Sequence, residues 1–292
     1  MAVKQEHSSV KNIIILILIC LFVIFFYIEN NIIAVTEMDI NLDNLPKGFE
    51  GYRIVHLSDL HSKVFSSENS GLISKVQEAV PDIIVITGDF IDYYDYDEEK
   101  MLYILKKLQG IAPVYYVTGN HELAVRNFPH TSEKLAIEGI SVLRNSYVTL
   151  TKNGDSILLI GIDDPVMTSK EENMLCREVL ADYFAQVPTD KDNNEPEFQI
   201  LLTHRPEQIS LYAEYGMDLV FAGHAHGGQI RLPFIGGLYA PNQGFFPKYT
   251  SGKYTAGSTT MIVSRGLGNG TIPIRLNNRP EIVVAVLHSN LI

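Results

Sequence analysis

Residues 82–92 read DIIVITGDFID, a β-branched apolar run that breaks off abruptly at Gly88 and Asp89. An apolar run without polar alternation marks a strand buried on both faces. The glycine then lets the chain leave the strand through conformations that an ordinary residue resists. Five further runs share this character: Arg53–Leu57, 114–118, 157–162, 200–203 and Leu219–Ala222. Between several of them the apolar spacing turns helical. Leu72, Ile73, Val76 and Val80 form one stripe, and Met101, Leu102, Leu105 and Leu108 form a second. A third helix is expected over 173–184, and a fourth after Pro206, whose ring suits a first helical turn. Strand and helix alternate, so the expected class is α/β with helical layers around sheet. After Gly227 the chain becomes rich in Gly, Pro and aromatic residues, with β-rich runs near 260–264 and 282–287. These runs are expected to complete a second sheet of the same domain. The polar stretch 187–196 is expected to be a solvated loop.

Five polar clusters sit directly after the runs: Asp59-Leu60-His61, Gly88-Asp89-Phe90-Ile91-Asp92, Gly119-Asn120-His121-Glu122, Thr203-His204-Arg205 and Gly223-His224-Ala225-His226. Ligand crevices of α/β sheets form at the carboxyl ends of strands, so clusters remote in sequence are expected to meet. Asp59, Asp89, Asn120, His61, His204, His224 and His226 offer carboxylates, an amide and imidazoles without a thiolate. That mixture suits divalent Mn, Fe, Zn or Co in catalytic use better than a structural zinc site, which usually recruits cysteine. Seven donors exceed the needs of one ion and fit two ions sharing a bridging carboxylate. Two divalent cations outweigh two carboxylates and a bridging hydroxide, so such a centre stays positive and attracts phosphate oxygens. Ions about 3.5–4 Å apart clamp the attacking and leaving oxygens of an in-line displacement and generate hydroxide near neutral pH. The leaving alkoxide needs a proton. His121, beside Asn120, is placed to give it, with Asp92 accepting its other N–H. Taken singly, each histidine has a structural explanation; the joint recurrence after strands does not.

The chain has 292 residues, 46% of them hydrophobic, which is ample for a packed core. A formal net charge of -11 argues against a general nucleic-acid binder, because a phosphate backbone demands clustered Lys and Arg. No stable nucleic-acid partner is expected. Residues 13–28 carry no charge and are rich in Ile, Leu, Val and Phe. A membrane-crossing helix needs about 20 apolar residues, with a lower limit of roughly 17, so Ile32, Ile33 and Ala34 are expected to extend the span. Lys4 and Lys11 precede the run and Glu29 follows, which favours an inside N-terminus and an extracytoplasmic remainder. A cleaved secretory signal would need a small-x-small site, and Glu29, Asn30 and Asn31 do not supply one. The organisation expected is a short cytoplasmic N-terminus at 1–11, a transmembrane anchor at 12–34 and a catalytic domain at 35–292. Cys20 and Cys176 lie far apart, with Cys20 inside the apolar run, so no intradomain disulfide is expected.

Taken in order, Asp59-x-His61, Gly88-Asp89-x-x-Asp92, Gly119-Asn120-His121-Glu122, His204 and Gly223-His224-x-His226 resemble the full signature of the calcineurin-like metallophosphoesterases. The resemblance covers the chain from about Arg53 to the C-terminus. It implies a four-layer αββα fold, two stacked mixed sheets flanked by helices, here with an N-terminal transmembrane helix. It also implies that Asp59, His61, Asp89 and His226 hold one ion, and Asp89, Asn120, His204 and His224 the other. Asp89 then bridges, His121 is the leaving-group acid, and Asp92 orients it. The anchor, Thr203-His204-Arg205-Pro206-Glu207 and the Gly227-Gly228-Gln229 extension resemble the membrane-associated bacterial branch, which includes phosphodiesterases and lipid-linked pyrophosphatases. The function expected is metal-dependent hydrolysis of a phosphodiester or pyrophosphate by a metal-bridging hydroxide. The anchor makes lipid-linked substrates the favoured candidates. Alternatives are a soluble-substrate nuclease or nucleotide phosphodiesterase, and a catalytically silent metal-binding scaffold. Low basic content opposes the nuclease, an outward-facing domain opposes the nucleotide enzyme, and the complete donor set opposes the scaffold.

Other residues are read more plainly. His56, inside an apolar strand, is expected to be packed and hydrogen-bonded, and His7, His130 and His288 to face solvent. Asp163 and Asp164 suit either a turn or the rim of the metal crevice, and Arg205 is expected at the surface or a helix start. The tract 236–254, with Tyr239, Phe245, Phe246, Tyr249 and Tyr254, is expected to pack an irregular hairpin, with a membrane-facing lip as the rival. The acidic, aromatic run 93–100 reads as a solvated loop entering a helix.

Overall fold

The computed structural model describes residues 2–165, 172–187, 198–270 and 272–290. The expected loop at 187–196 falls, apart from Val187, outside the described residues, as does the side chain of His7. The chain begins with helix α1 (Ala2–Asn31), whose segment Lys11–Asn31 spans 21 residues at a mean hydropathy of 2.8. That segment is long and apolar enough to cross a membrane. Its Ile, Leu and Phe side chains are largely exposed, so it is not the core helix of a globular domain. The helix ends at Asn31, Ile33 is buried, and Ala34 opens a strand. The hydrophobic span therefore stops before Ile33 instead of running on through Ala34.

Among the described residues the strands are β1 (Ala34–Leu42), β2 (Arg53–Leu57), β3 (Ile83–Thr87), β4 (Val114–Val117), β5 (Ser141–Val142), β6 (Ser146–Lys152), β7 (Asp155–Gly161), β8 (Gln199–Leu202), β9 (Leu219–Ala222), β10 (Arg231–Leu232), β11 (Gly236–Gly237), β12 (Tyr239–Ala240), β13 (Gly244–Phe245), β14 (Gly252–Ala256), β15 (Thr259–Val263) and β16 (Glu281–Ser289). The intervening helices are α2 (Ser70–Glu78), α3 (Glu98–Gln109), α4 (Asn120–Ala124), α5 (Phe128–Ile137), α6 (Glu172–Phe184) and α7 (Ile209–Glu214). One six-stranded sheet has the order β1-β16-β2-β3-β4-β5, and the other β14-β15-β9-β8-β7-β6. Each is mixed: β16 runs antiparallel to β2, and β14 and β6 run antiparallel to their neighbours.

The architecture explains the unbroken apolar runs. Ile83 and Val85 point between the sheets, where they join Ile157, Leu159, Ile200, Leu202, Leu219 and Phe221. Ile84 and Ile86, on the opposite face of β3, pack on Leu72 and Val76 of α2 and on Ile104, Leu105 and Leu108 of α3. Across the molecule Leu158, Ile160, Leu201 and Val220 meet Leu180 and Phe184 of α6 and Tyr212 of α7. The result is four layers, helix on sheet on sheet on helix. Each fully buried Val, Leu or Ile stabilises this stack by roughly 1.5–3 kcal/mol.

The C-terminal strands depart from expectation. β15 joins the second sheet beside β9, but β16 enters the first sheet between β1 and β2 instead of completing the second. Its Val283, Ala285 and Leu287 fill the space between the sheets, while Ile282, Val284 and Val286 face the helical layer. A strand apolar on both faces fits the middle of either sheet; the nine-residue parallel register with β1 decides which. The segment between β9 and β14 forms two small antiparallel pairs, β10–β11 and β12–β13, outside both sheets.

Candidate metal centre

The five clusters converge where β2, β3, β4, β8 and β9 end. Asp59, His61, Asp89, His224 and His226 all adopt positive φ, between 47° and 65°. Non-glycine residues visit this region rarely, and such strain collects at functional sites. Here it turns each side chain sharply out of its strand and into one cleft. Gly119 lies so close to the Asp89 carboxylate that any side chain at that position would collide with it.

Two groups of donors face each other across Asp89. His61 Nε2 lies 3.2 Å from His226 Nε2, and His226 Nε2 lies 3.6 Å from Asp59 Oδ1. On the other side His204 Nε2 lies 3.1 Å from His224 Nδ1. Asp89 Oδ2 reaches both groups, 3.6 Å from His61 Nε2 and 3.3 Å from His204 Nε2. Asn120 lines the same cleft, together with Tyr93, Tyr94, His121, Arg205, Asn242, Asn269 and Gly270, around a volume of about 690 Å³. A groove of similar size between α2 and α3, lined by Ile73, Val80, Tyr103 and Lys107, gathers no comparable donors.

The donor set fits divalent metal. Asn120 Oδ1, the atom an amide offers to a cation, is buried without a hydrogen-bond partner. A buried polar atom left so costs about 1–3 kcal/mol. Burial pushes the His61 pKa down to about 4 and holds His224 and His226 well below the usual imidazole range. These rings are therefore neutral at pH 7, the form that coordinates cations. His204 behaves oppositely: despite its burial, Asp89 beside it raises its pKa to about 10. Burial and the neighbouring Asp89 raise Asp59 to about 6, whereas His204 holds Asp89 low in spite of its burial.

A profile of the family described as Calcineurin-like phosphoesterase matches residues 52–228, more than half of the chain. The protein belongs to this family. It is 35% identical over 269 residues to the uncharacterized metallophosphoesterase YkuE of Bacillus subtilis, covering 90% of this chain and 88% of that one. It is 28% identical to phosphodiesterase YaeI of Escherichia coli, covering 81% and 82% of the respective chains. A Danio rerio transmembrane protein with metallophosphoesterase domain is 30% identical over 87% of this chain, which spans 57% of that longer relative. The phosphoesterase is accordingly a metal-dependent hydrolase of phosphoester bonds.

Around the donors stand residues to which the sequence assigned no role or another one. Glu122 is wholly buried and accepts from the backbone N–H groups of Asp89, Phe90, Ile91 and Gly119 and from the Tyr116 hydroxyl. Burial and Asp89 push its pKa up. Only an ionised carboxylate accepts from so many donors, so Glu122 pins the Asp89 turn from behind. Arg205 stands at a helix start, as one of its two expected places had it, at the cap position of the turn that opens at Pro206, but it is buried and not at the surface. Its guanidinium forks onto Asp164 at 2.5 and 2.9 Å and reaches His224 Nε2 at 3.1 Å and the Asn242 side chain at 2.5 Å. Asp163 is buried too, paired with Arg144 and accepting from Thr118. Asp164 therefore backs the crevice through Arg205, while Asp163 is held behind it by Arg144 and Thr118, and neither makes a plain exposed turn.

His121 lies at the cleft mouth, and its Nδ1 accepts the Tyr93 N–H at 3.2 Å. That contact assigns the ring proton of neutral His121 to Nε2. Asp92 Oδ1 lies 3.6 Å from His121 Nδ1, beyond direct hydrogen-bond reach, and Oδ2 lies 3.8 Å from His61 Nδ1. Buried His56 bonds to the Thr87 hydroxyl at 2.7 Å, as its strand position led one to expect. His130 is exposed beside Glu133. His288 is only partly exposed, held by Glu50 and Asp39.

Proposed function

We propose that the protein hydrolyses phosphodiesters or pyrophosphates, lipid-borne ones above all, at a centre of two divalent cations, Mn, Fe, Zn or Co. Asp59, His61 and His226 would hold one ion, His204, His224 and Asn120 the other, with Asp89 shared. The observation that carries this reading is Asp89, whose Oδ2 lies within 3.6 Å of an imidazole from each donor group. When bound, such a pair neutralises phosphate oxygens and makes water a nucleophile near neutral pH.

The remaining steps fall to the protein's own groups. His121 would act as the imidazolium, giving its Nε2 proton to the leaving oxygen as the P–O bond breaks and ending as the neutral ring; in the charged form Nδ1–H faces Asp92 Oδ1, 3.6 Å away, in place of the Tyr93 N–H that the neutral ring accepts. Asp92 stabilises the ring through space and through the loop that brings the Tyr93 N–H to Nδ1. Arg205, oriented by Asp164, and Asn242 close the far wall and supply donors for a non-bridging oxygen. The apolar span of α1, following Lys4 and Lys11, supports an inside N-terminus with the catalytic domain outside the cytoplasm.

The test is His121→Gln in full-length protein. Metal content is expected to stay at the wild-type level while kcat on bis(p-nitrophenyl) phosphate falls by about 10²–10⁴. Unchanged turnover with metals retained would remove His121 from the mechanism. A wild type that hydrolyses neither this diester nor any member of a panel of phospholipid and isoprenoid phosphates would end the enzymatic reading.

A further inference from the structure

Where the bilayer meets the domain is written in a chain of contacts from the end of α1. Asn30 Oδ1 accepts the Arg275 N–H at 2.8 Å, its amide donates to the Arg275 carbonyl, and Glu29 accepts the Asn278 N–H at 2.9 Å. Lys63 and Arg279 donate to the carbonyls of Asn30 and Ile32. The same segment then holds β10: Arg231 N donates to the Leu276 carbonyl, and Asn277 donates to the Arg231 carbonyl. β10 and β11 pair Leu232 with Gly236, so Phe234 and Ile235 stand at the apex of the turn between them. Phe234 is fully exposed and Ile235 is 62% exposed. Leu238 links this hairpin to the next, bonding through its N–H to Ile230 and through its carbonyl to Phe246. There Phe245 and Phe246 are 72% and 62% exposed. Ile274, next to Arg275, is exposed as well.

Elsewhere on the domain the exposed rings of Tyr93 and Tyr94 pack on each other at the metal cleft, and Val80 and Tyr103 line the groove between α2 and α3, both some way along the chain from the end of α1. A clustered apolar surface marks an interaction site. Phe234 and Phe246 moreover sit at φ of 67° and 54°, a costly backbone for bulky residues whose rings gain nothing from water. Two facts select the occupant. The cluster is continuous, through Arg275 and Leu276, with the helix that is apolar enough to cross a membrane. Cationic Lys63 and Arg279 stand at the end of α1, and Lys248 lines a groove with Phe246, as suits a surface of anionic head groups. The second hairpin also carries Asn242, which touches His224 in the metal cleft.

We infer that the Phe234–Ile235 and Phe245–Phe246 turns dip into the bilayer that α1 crosses, docking the domain so that the metal cleft faces a phosphoester carried at the lipid surface. The substrate half of this statement rests on the function proposed above; the docking half does not. Docking adds a second attachment to the one that Glu29 and Asn30 already make, and so fixes the pose of the domain on the bilayer. It also makes the Asn242 hairpin the bridge between lipid and metal cleft.

The chain contains no tryptophan, which makes the test direct. Phe234→Trp, Phe245→Trp and, as control, Ile137→Trp on α5 at the opposite edge of the first sheet each create a single emitter. Full-length variants are placed one per nanodisc of phosphatidylethanolamine and phosphatidylglycerol, with and without brominated acyl chains. The first two are expected to emit to the blue of the control and to be quenched about twofold or more, the control remaining unquenched. Solvent-like emission from both, quenched no more than the control, overturns the proposal. So does protection seen only with two chains per disc, which would assign the face to a second copy. In a second arm, Phe234→Asp with Ile235→Asp is expected to lower hydrolysis of a lipid-embedded phosphodiester about tenfold while leaving bis(p-nitrophenyl) phosphate untouched. Equal effects on both substrates overturn the link between docking and substrate. If no substrate turns over yet the tryptophans are quenched, docking stands and the enzymatic reading falls.

Discussion

Glu122 shows how a carboxylate that binds no ion can shape a site. It satisfies the N–H groups exposed where the backbone turns at Asp89, and these have no other acceptor close by. Glu122→Gln keeps the shape but presents an amide N–H₂ to at least two of those donors. Loss of about 2–4 kcal/mol in chemical denaturation is expected, with metal affinity weakened about 10–100-fold in competition titrations. Wild-type stability and affinity in this variant would show that Glu122 merely fills space. Arg205 and Asp164 form the comparable pair on the other wall, both buried, with the aspartate held below the usual carboxylate range by Arg205 despite burial. Asp164→Asn strands a buried guanidinium, so a cost of roughly 3–5 kcal/mol is expected in the same measurement. Neither residue announces its role locally. Glu122 reads as the tail of a motif and Asp164 as a turn before proline; only contacts 33 and 41 residues apart in sequence reveal them.

Strand β16 is tied to β1 and to the turn before β2 by His288, which lies near Asp39 Oδ1 and bonds to Glu50 Oε1 at 2.7 Å. Glu50 first, then Asp39, raises the His288 pKa in the folded chain above its ordinary 6.5. A raised folded pKa means that this contribution to stability is complete below about 6.5 and fades as pH climbs through the folded value. Wild type is therefore expected to lose slightly more thermal stability between pH 6 and 8 than His288→Gln, by a few tenths of a kcal/mol, since solvent reaches and screens this partly exposed group. Parallel melting curves across that range would sink the idea. The strand itself was legible in part. Ile282 to Leu287 read as β because both faces are apolar, yet that same symmetry hides which sheet it joins. β1 was missed for the opposite reason: Thr36, Glu37, Asp39 and Asn41 interrupt it, as befits an edge strand with one face in water. The Ile83–Thr87 run and its counterparts were plain because two helical layers and a second sheet leave no face for polar residues. The meeting of the candidate donors in one cleft was legible for a related reason, since each donor cluster follows such a run directly. An irregular hairpin was expected within 236–254, where β12 and β13 pair, but the Gly- and Pro-rich pattern gave no sign of the β10–β11 pair before it or of which rings would be exposed.

At the scale of the whole molecule the two sheets supply a frame and the cations are expected to lock it. Chelation in the full chain should lower Tm by roughly 5–10 °C, and re-addition of Mn or Zn at about 100 times its Kd should restore it, since a ligand of the folded state alone adds about 2.7 kcal/mol there. An unchanged melt would mean that the donors need no ion to stay together. The anchor is the second lock. Glu29 and Asn30 satisfy backbone groups of Arg275 and Asn278, and the loop they hold lays Gly270 directly against the His226 ring. Asn278 in turn donates to the His226 carbonyl at 2.7 Å. The last turn of α1 therefore acts on the metal cleft even where no membrane is needed. A chain trimmed to begin just before Glu29 keeps these contacts, whereas one trimmed after Asn31 loses them all. The first is expected to match full-length protein in Tm and in turnover of a soluble diester. The second should fall by about 2–3 kcal/mol, the sum of two or three hydrogen bonds whose buried partners are left unmet, and should bind metal more weakly through the freed His226. Identical melts and metal affinities for the two trimmed chains would show that α1 holds the protein at the membrane and does nothing for the site.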